Sequence, residues 1–214
     1  MDTFAHPSDL ELAALISSKI CHDVIGPVGA IYNGLEILGE NDGGDSRNYA
    51  LEVIRNVTEQ ASARLQFARF AFGASGSAGT EIELEMARSL AAGFLGKGKH
   101  ALTWRGPNVM MPKDRVKLLL NLVASAITVL PRGGEIQVFI GNDVNKPEFV
   151  FRCRGKSARR PPFLADLAAG GQLEAIDSMS IQAYYTWRLA LQAKMQIAVL
   201  QEGDDILIHA GIAD

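Results

Sequence analysis

Two apolar stripes with helical spacing, separated by a glycine-rich break, constrain the fold of this chain more than any other feature. Within each stripe the apolar residues recur at steps of three or four, which keeps them on one face of an α-helix. The break, "NDGGD" at residues 41–45, is typical of a turn. The spacing therefore predicts two antiparallel helices over residues 9–72, the second beginning near Ser46, a possible N-cap. The stripe positions are Ile20, Val24, Val28, Ile31, Leu35 and Leu38, then Ala50, Ile54, Val57, Ala61, Leu65, Ala68 and Phe72.

A single helical hairpin of this kind has a wide apolar face that nothing in the first third of the chain can cover. Two such hairpins packed together form a four-helix bundle. We therefore expect a homodimer that forms through residues 9–72. The alternative is that the hairpin folds back onto the second part of the chain.

The second part of the chain has a different pattern. Residues 73–79, "GASGSAG", have the composition of a flexible linker. Beyond them, helical patterns at 80–95, 112–130 and 178–195 alternate with short apolar runs and turn sequences that are typical of strands. This mixture favours an α/β sandwich with helices on one sheet face. The predicted fold class is α+β, with a helical hairpin at residues 1–73, a linker at 74–79 and the sandwich at 80–214.

The charge, the hydrophobic pattern and the cysteine spacing argue against several classes of function. The formal net charge is -3 and no basic stripe is present, which argues against a nucleic-acid partner. No apolar run approaches the roughly 18 residues that a membrane span needs, and the N-terminus lacks a signal-peptide pattern. Cys21 and Cys153 stand in neither a metal-ligand nor a CxxC spacing, so reduced thiols in a cytoplasmic protein without a metal site are expected.

His22 lies off the first apolar stripe. At about 100° per residue, a position two residues from both Ile20 and Val24 faces away from the stripe. Asp23 follows at once, and a carboxylate beside an imidazole can accept its ring N–H and leave the other nitrogen's lone pair free. An exposed imidazole of this kind is a candidate nucleophile.

Pro27 stands one turn beyond the histidine. It has no N–H to donate to the carbonyl of Asp23, so the sequence predicts a bend in the helix. Gly26, Gly29 and Ala30 keep the neighbouring surface small, which leaves room for another protein to dock closely.

The stretch "HDVIGP" resembles the H-box of two-component histidine kinases, which reads His, Asp or Glu, an apolar residue, two variable residues, then Pro. The resemblance implies that His22 is the phosphoacceptor and that Asp23 assists proton transfer.

The second part resembles the ATP-binding domain of those kinases, the Bergerat fold, without its nucleotide chemistry. "NLVASA" is similar to the N-box, with Asn121 at its first asparagine and Ser125 where the Mg²⁺-holding asparagine stands. "CRGKS" stands where the family has Asp-x-Gly-x-Gly, so that Cys153 replaces the aspartate and Ser157 the second glycine. The helix entrance "DSMSIQAYY" lacks the expected glycines. Together these departures imply that the pocket does not serve ATP.

An intact H-box on a dimerising hairpin, followed by a degenerate kinase-like domain, resembles the ChpT-type histidine phosphotransferases of alphaproteobacteria. The resemblance implies that phosphate comes from the receiver domain of a hybrid cell-cycle kinase and passes to response-regulator receivers such as CtrA and CpdR, with Mg²⁺ supplied by the receiver. Two alternatives stay open, a divergent histidine autokinase and a dimeric pseudo-kinase that binds partners without chemistry.

Two cations are expected near the histidine, Lys19 one turn back and Arg64 on the second helix, although both residues could simply be solvated. A basic loop over residues 154–160 could also face an acidic receiver. The candidate catalytic residues are His22 and Asp23, and the candidate partner-binding residues are Lys19, Gly26, Pro27, Ala30, Asn33, Gly34 and Arg64.

Overall fold

The structure is a computed structural model that describes residues 6–40, 44–73, 81–143 and 145–212. The predicted linker at 74–79 and part of the turn between the two long helices therefore lie outside the described residues. The helices are α1 (Asp9–Glu40), α2 (Gly44–Ala71), α3 (Leu84–Leu95), α4 (Lys113–Val129), α5 (Leu164–Ala168) and α6 (Ile181–Gln192). The strands are β1 (Glu81–Glu83), β2 (His100–Arg105), β3 (Met110–Pro112), β4 (Gly134–Ile140), β5 (Glu148–Arg154), β6 (Met195–Glu202) and β7 (Asp205–Ile212).

Helices α1 and α2 form the predicted antiparallel hairpin, although α2 begins at Gly44, two residues before the expected start. Small residues let the two helices approach closely. Gly34 is buried at this contact, and a Cβ added to it would lie 2.6 Å from Ile54 Cγ1. On α2, Ala50 and Ala61 are buried in the same way. The contact between α1 and α2 therefore uses only part of each predicted stripe.

The rest of the apolar surface of α1 remains exposed. Val28 and Leu35 belong to the predicted stripe, yet they are 51% and 54% exposed, and Ile25 and Tyr32 extend this surface. Among the described residues, α1 is the one helix that is long and apolar enough by composition to cross a membrane, so the expectation that no segment reaches that length was wrong. Length and composition alone are weak evidence of a span. Its apolar residues instead divide between the contact with α2 and one exposed stripe, while charged residues such as Lys19 and Asp23 interrupt them.

The second part is the predicted sandwich, built on a five-stranded sheet with the order β2-β4-β5-β7-β6. Strands β2 and β4 are parallel, and every other neighbouring pair in this sheet is antiparallel. Along β5, the buried residues Phe149, Phe151 and Cys153 alternate with less buried ones, because successive side chains point to opposite faces. Helices α3 to α6 contact the sheet and enclose the core with it.

Three short elements were not anticipated. Residues 81–83, which the sequence pattern assigned to a helix, form β1, and β1 pairs with β3 in a separate two-stranded sheet. Helix α5 was also missed. Each of these elements has only three to five residues, too few for apolar spacing to distinguish a helix from a strand.

The open end of the hairpin sits directly on the sandwich. Phe67 and Ala71, near the end of α2, belong to the main core, and the ring of Phe67 stacks on Phe94 of α3 with centroids 3.9 Å apart. Near the start of α1, Leu12, Leu15 and Ile16 pack against a second buried cluster that includes Tyr184 of α6. The hairpin thus contacts the second part at its base, while its exposed stripe stays uncovered within the chain.

Candidate phosphoacceptor site

His22 projects from the middle of α1 into solvent. Its side chain is 85% exposed, so the prediction that it faces away from the helix contact is confirmed. The residues that turn towards α2, such as Gly34 and Val24, are on the other side of α1. One helix therefore supports the hairpin with one face and presents an accessible imidazole with the opposite face.

The carboxylate of Asp23 lies beside His22 without bonding to it. The distance from His22 Nδ1 to Asp23 Oδ1 is 3.7 Å, too long for a hydrogen bond, so the expected bond from the ring N–H is absent in this structure. The other carboxylate oxygen, Oδ2, forms an ion pair with Lys19 Nζ, one turn earlier on the same helix face. Lys19 therefore holds the carboxylate of Asp23 in place beside the imidazole.

Arg64 reaches the same turn of α1 from α2. Its Nη1 donates a hydrogen bond of 2.7 Å to the backbone carbonyl of Asp23. That carbonyl would ordinarily accept from the N–H four residues later, and Pro27 has none. Arg64 supplies the missing donor, which explains how α1 can continue through an internal proline from Asp9 to Glu40.

The strip of small residues next to His22 is exposed only in part, because Ala30 is half-buried and Gly34 is buried. At about 100° per residue, Gly26, Ala30 and Asn33 lie within about 80° of His22 around the helix axis. Asn33 and Gly26 are exposed, and a Cβ added to Gly26 would meet nothing within 4 Å. Gly34 was expected on this strip, and that expectation was wrong, because Gly34 is buried against α2.

The described residues contain no group of three or more His, Cys, Asp or Glu side chains that could hold a metal ion. That Mg²⁺ comes from a partner stays a prediction.

The residues that match the kinase N-box are buried and hydrogen-bonded within the chain. Asn121 is completely buried, and its side-chain amide bonds to the carbonyls of Ala71 and Lys117 and to the amide of Gln182. Ser125 is 3% exposed, and its hydroxyl donates to the carbonyl of Asn121 at 3.0 Å. Neither polar group points into an open cleft.

Cys153, which stands in place of the kinase aspartate, is a core residue of β5. It is completely buried, and burial together with the charge of Asp205 raises the pKa of its thiol to about 12. Gly155, the one glycine retained from the family pattern, lies where a Cβ would be 2.7 Å from the carbonyl oxygen of Gly133. Its small size thus serves a close approach between two segments of backbone.

Some of the basic residues at the end of β5 and beyond it form ion pairs within the chain. Arg154 and Arg152 both donate to the carboxylate of Asp205, and the hydrogen bond from Arg154, the larger cause, lowers the pKa of that carboxyl. Arg159 and Arg160 are exposed. Sequence reasoning missed Asp205 and Gln182, because neither carries a motif and both acquire partners only when distant segments meet.

The sequence and the fold of this chain are similar to those of known phosphotransferases. The family model for the histidine phosphotransferase C-terminal domain matches residues 84–205. Protein phosphotransferase ChpT of Brucella abortus (strain 2308) is 43% identical over 204 residues, which cover 95% of this chain and 96% of that protein. The solved structure of a bacterial phosphotransferase superposes with a TM-score of 0.88 at 40% identity, covering 97% of this chain and 98% of that one. The chain therefore belongs to the histidine phosphotransferase family, within its ChpT type, and is a phosphotransferase.

Proposed function

We propose that the chain is the histidine intermediate of a multi-step phosphorelay, with His22 as the phosphoacceptor. The observation that carries this proposal is the imidazole of His22, which is 85% exposed in the middle of α1 next to a carboxylate. A neutral imidazole nitrogen attacks the phosphorus of a receiver's aspartyl phosphate. A nitrogen–phosphorus bond forms, the phosphorus–oxygen bond breaks, and its electron pair returns to the receiver's carboxylate. A second receiver's aspartate then attacks the phosphohistidine and regenerates the free imidazole.

Nδ1 of His22 is the ring nitrogen near Asp23, at 3.7 Å from Oδ1, so Nε2 is the reacting nitrogen in this proposal. A carboxylate near Nδ1 stabilises the proton there and the positive charge that the ring gains on attack. Lys19 lies close enough to compensate phosphate charge, since its ammonium group pairs with the same carboxylate. Phosphoryl transfer depends mostly on positioning and charge compensation, so these few groups suffice when the receiver contributes Mg²⁺ and its own acidic pocket.

The phosphoryl source in this proposal is a receiver domain of a hybrid kinase, and ATP is not bound. Asn121 and Ser125 bond within the chain, and Cys153 occupies the core position of the kinase aspartate. These three side chains would have to leave buried hydrogen bonds or the core before they could contact a nucleotide. Recipients are response-regulator receivers of the CtrA and CpdR kind, in the cytoplasm.

The working unit of the proposal is a homodimer. The exposed apolar residues of α1 recur at steps of three and four, and α2 also exposes apolar residues that a second hairpin would cover. They are Ile25, Val28, Tyr32 and Leu35 on α1, with Leu51 and Leu65 on α2. Val28→Glu should convert the dimer to monomers in sedimentation equilibrium, whereas Met179→Glu, at an exposed site on the second part, should leave the dimer intact.

Labelling by two phosphoryl sources tests the proposal. The full chain is mixed with a phosphorylated receiver domain in one arm and with γ-labelled ATP in the other. Label that reaches the chain only from the receiver supports the relay, and ATP should leave its thermal unfolding temperature unchanged. Labelling from ATP alone would instead identify an autokinase, and no labelling from either source would favour a binding module.

A further inference from the structure

The side chain of Asn121 joins three helices from two parts of the fold. Its Nδ2 donates to the carbonyl of Ala71, the last residue of α2, at 2.9 Å and to the carbonyl of Lys117 in α4 at 2.8 Å. Its Oδ1 accepts from Gln182 Nε2 in α6 at 2.7 Å. Both amide hydrogens and the amide oxygen are therefore used, and the residue is completely buried. The carbonyl of Ala71 is one of the terminal carbonyls that a helix leaves without an internal partner.

Helix α6 also holds the other end of the hairpin base. Near the start of α1, His6 Nδ1 lies 2.9 Å from the hydroxyl of Tyr184, and the His6 ring stacks on Trp187. Just beyond the end of α2, Phe72 contacts the ring of Tyr185 with centroids 5.4 Å apart. The start of α1 and the end of α2 are thus both attached to one helix of the sandwich, and the polar centre of that attachment is Asn121.

This attachment reaches the neighbourhood of His22. A small cavity is lined by Asp23, the residue after the phosphoacceptor, and by Arg64 on the hairpin side, and by Phe94 and Gln182 on the sandwich side. Gln182 is the residue whose side chain Asn121 holds. The position of α6 therefore determines which side chains lie beside Asp23 and Arg64, and Asp23 directly follows His22 in α1.

We propose that Asn121 is a positioning residue for phosphotransfer, which fixes the sandwich relative to His22 so that a docking receiver meets one arrangement of the two parts. An asparagine that matches the nucleotide-binding N-box thus acts as a tie between the hairpin and the sandwich. The inference rests on the proposed function for its kinetic consequence, while the fixed arrangement itself can be measured without any partner.

Loss of the tie should weaken docking more than it slows the chemical step. Asn121 does not touch His22, so a receiver that has docked finds the same nucleophile. Without the tie, the sandwich adopts several positions over the base of the hairpin, and only a fraction of molecules are ready to dock. The apparent affinity then falls in proportion to that fraction.

Two substitutions and a matched control separate this role from general stability. Asn121→Leu keeps the branched side-chain shape and removes all three hydrogen bonds, and Gln182→Leu removes only the bond to α6. Ser125→Ala is the control, because Ser125 is also buried one turn later on α4 and its hydroxyl bonds to Asn121 O and Thr186, which both lie in the sandwich. Phosphotransfer from a phosphorylated receiver domain is measured in each variant as KM and kcat.

We expect Asn121→Leu to raise KM for the receiver about tenfold while kcat changes by less than about twofold, and Gln182→Leu to produce a smaller rise. Ser125→Ala should leave KM unchanged. A folded Asn121→Leu variant with an unchanged KM, or with a reduced kcat at an unchanged KM, would overturn the inference.

Spin labels measure the arrangement directly. Cys21 is exposed on α1, and Leu200→Cys adds a second exposed site on β6, whereas Cys153 is buried and stays unlabelled. Labelled chains are diluted with unlabelled ones so that distances within one chain dominate. A narrow distance distribution that broadens in Asn121→Leu and Gln182→Leu supports the role of Asn121 in fixing the sandwich relative to the hairpin. A broad distribution in the unsubstituted chain contradicts that role, even if Asn121→Leu fails to fold. If no receiver transfers phosphate to the unsubstituted chain, the proposed function fails while this measurement still decides the tie.

Discussion

Arg64 Nη1 lies 2.7 Å from the backbone carbonyl oxygen of Asp23, the helical carbonyl that Pro27 leaves without its usual donor. The two helices of the hairpin are therefore joined by a charge-assisted hydrogen bond one residue away from the phosphoacceptor. A proline in a helix interior costs about 3 kcal/mol, partly through the lost hydrogen bond. The neighbouring helix replaces that bond, so the turn that carries His22 is held from outside α1.

Arg64→Met should loosen this turn. The substitution keeps an apolar stem of similar length and leaves the Asp23 carbonyl without its partner, so we expect the free energy of unfolding to fall by about 1–2 kcal/mol. Misplacement of the nucleophile should slow phosphotransfer by roughly tenfold. Denaturant unfolding and single-turnover transfer measure the two effects. Arg69→Met is the matched control, because Arg69 is a cation on the same helix whose guanidinium lies over the ring of Phe70. Equal effects of both substitutions would refute the role given to Arg64.

Pro27→Ala should make Arg64 dispensable. Alanine restores an N–H that can bond to the Asp23 carbonyl within α1, and it favours the helix over proline by up to about 3 kcal/mol. We expect Pro27→Ala to raise the free energy of unfolding, and Arg64→Met to cost less in that background. A double-mutant cycle measures the coupling as a difference of about 0.5–2 kcal/mol, and additive effects would show that the two residues act independently.

Alanine substitutions at two glycines of α1 should change the free energy of unfolding in opposite directions. A Cβ on Gly34 would lie 2.6 Å from Ile54 Cγ1, whereas a Cβ on Gly29 would meet nothing within 4 Å. Gly34→Ala should therefore cost about 1–3 kcal/mol through overpacking, and Gly29→Ala should gain up to about 1 kcal/mol through helix propensity. Thermal unfolding of the two variants gives the comparison, and a stabilised Gly34→Ala variant would contradict the close contact of α1 with α2.

Asp205→Asn should destabilise the sandwich in a pH-dependent way. Hydrogen bonds from Arg154 first and Arg152 second lower the pKa of the Asp205 carboxyl, so its stabilising effect is present above the unfolded-state pKa of about 3.9 and is lost as pH falls through the lower folded-state value. We expect a difference of about 1 kcal/mol between the variants at pH 7, given solvent screening, and a smaller difference below about pH 3. Glu202→Gln, which removes an exposed partner of Arg152, is the control and should have a weaker effect.

Repeating spacing in the sequence predicted the long elements well. The hairpin and the β4–β5 and β6–β7 pairs follow from runs of seven to 32 residues, over which a helical or strand period is unambiguous. The position of His22 on the outer face of α1 follows from the same arithmetic. The stripe did not reveal that its members divide between α2 and an exposed face, because both surfaces are apolar.

The contacts around His22 could be predicted only in part. The expectation that Arg64 approaches the histidine came from counting outward from the turn, but its bond to the Asp23 carbonyl depends on the relative rotation of two helices. Lys19 competes for the carboxylate of Asp23 by an ion pair that helical spacing permits without requiring. The hydrogen bonds of Asn121 reach partners that are 50 and 61 positions away in the sequence, so no local pattern predicts them. The N-box resemblance associates this residue with nucleotide instead.

The passage of a phosphoryl group through His22 is the most direct test of this account. The chain is charged from a labelled phosphorylated receiver, the modified residue is mapped by mass spectrometry, and unlabelled second receiver is then added. We expect acid-labile label on His22 that moves to the second receiver. The label should be lost completely in His22→Gln and retained in His209→Gln, which removes a partly exposed histidine elsewhere in the fold. Label that persists in His22→Gln, or that maps to any other residue, would contradict the account.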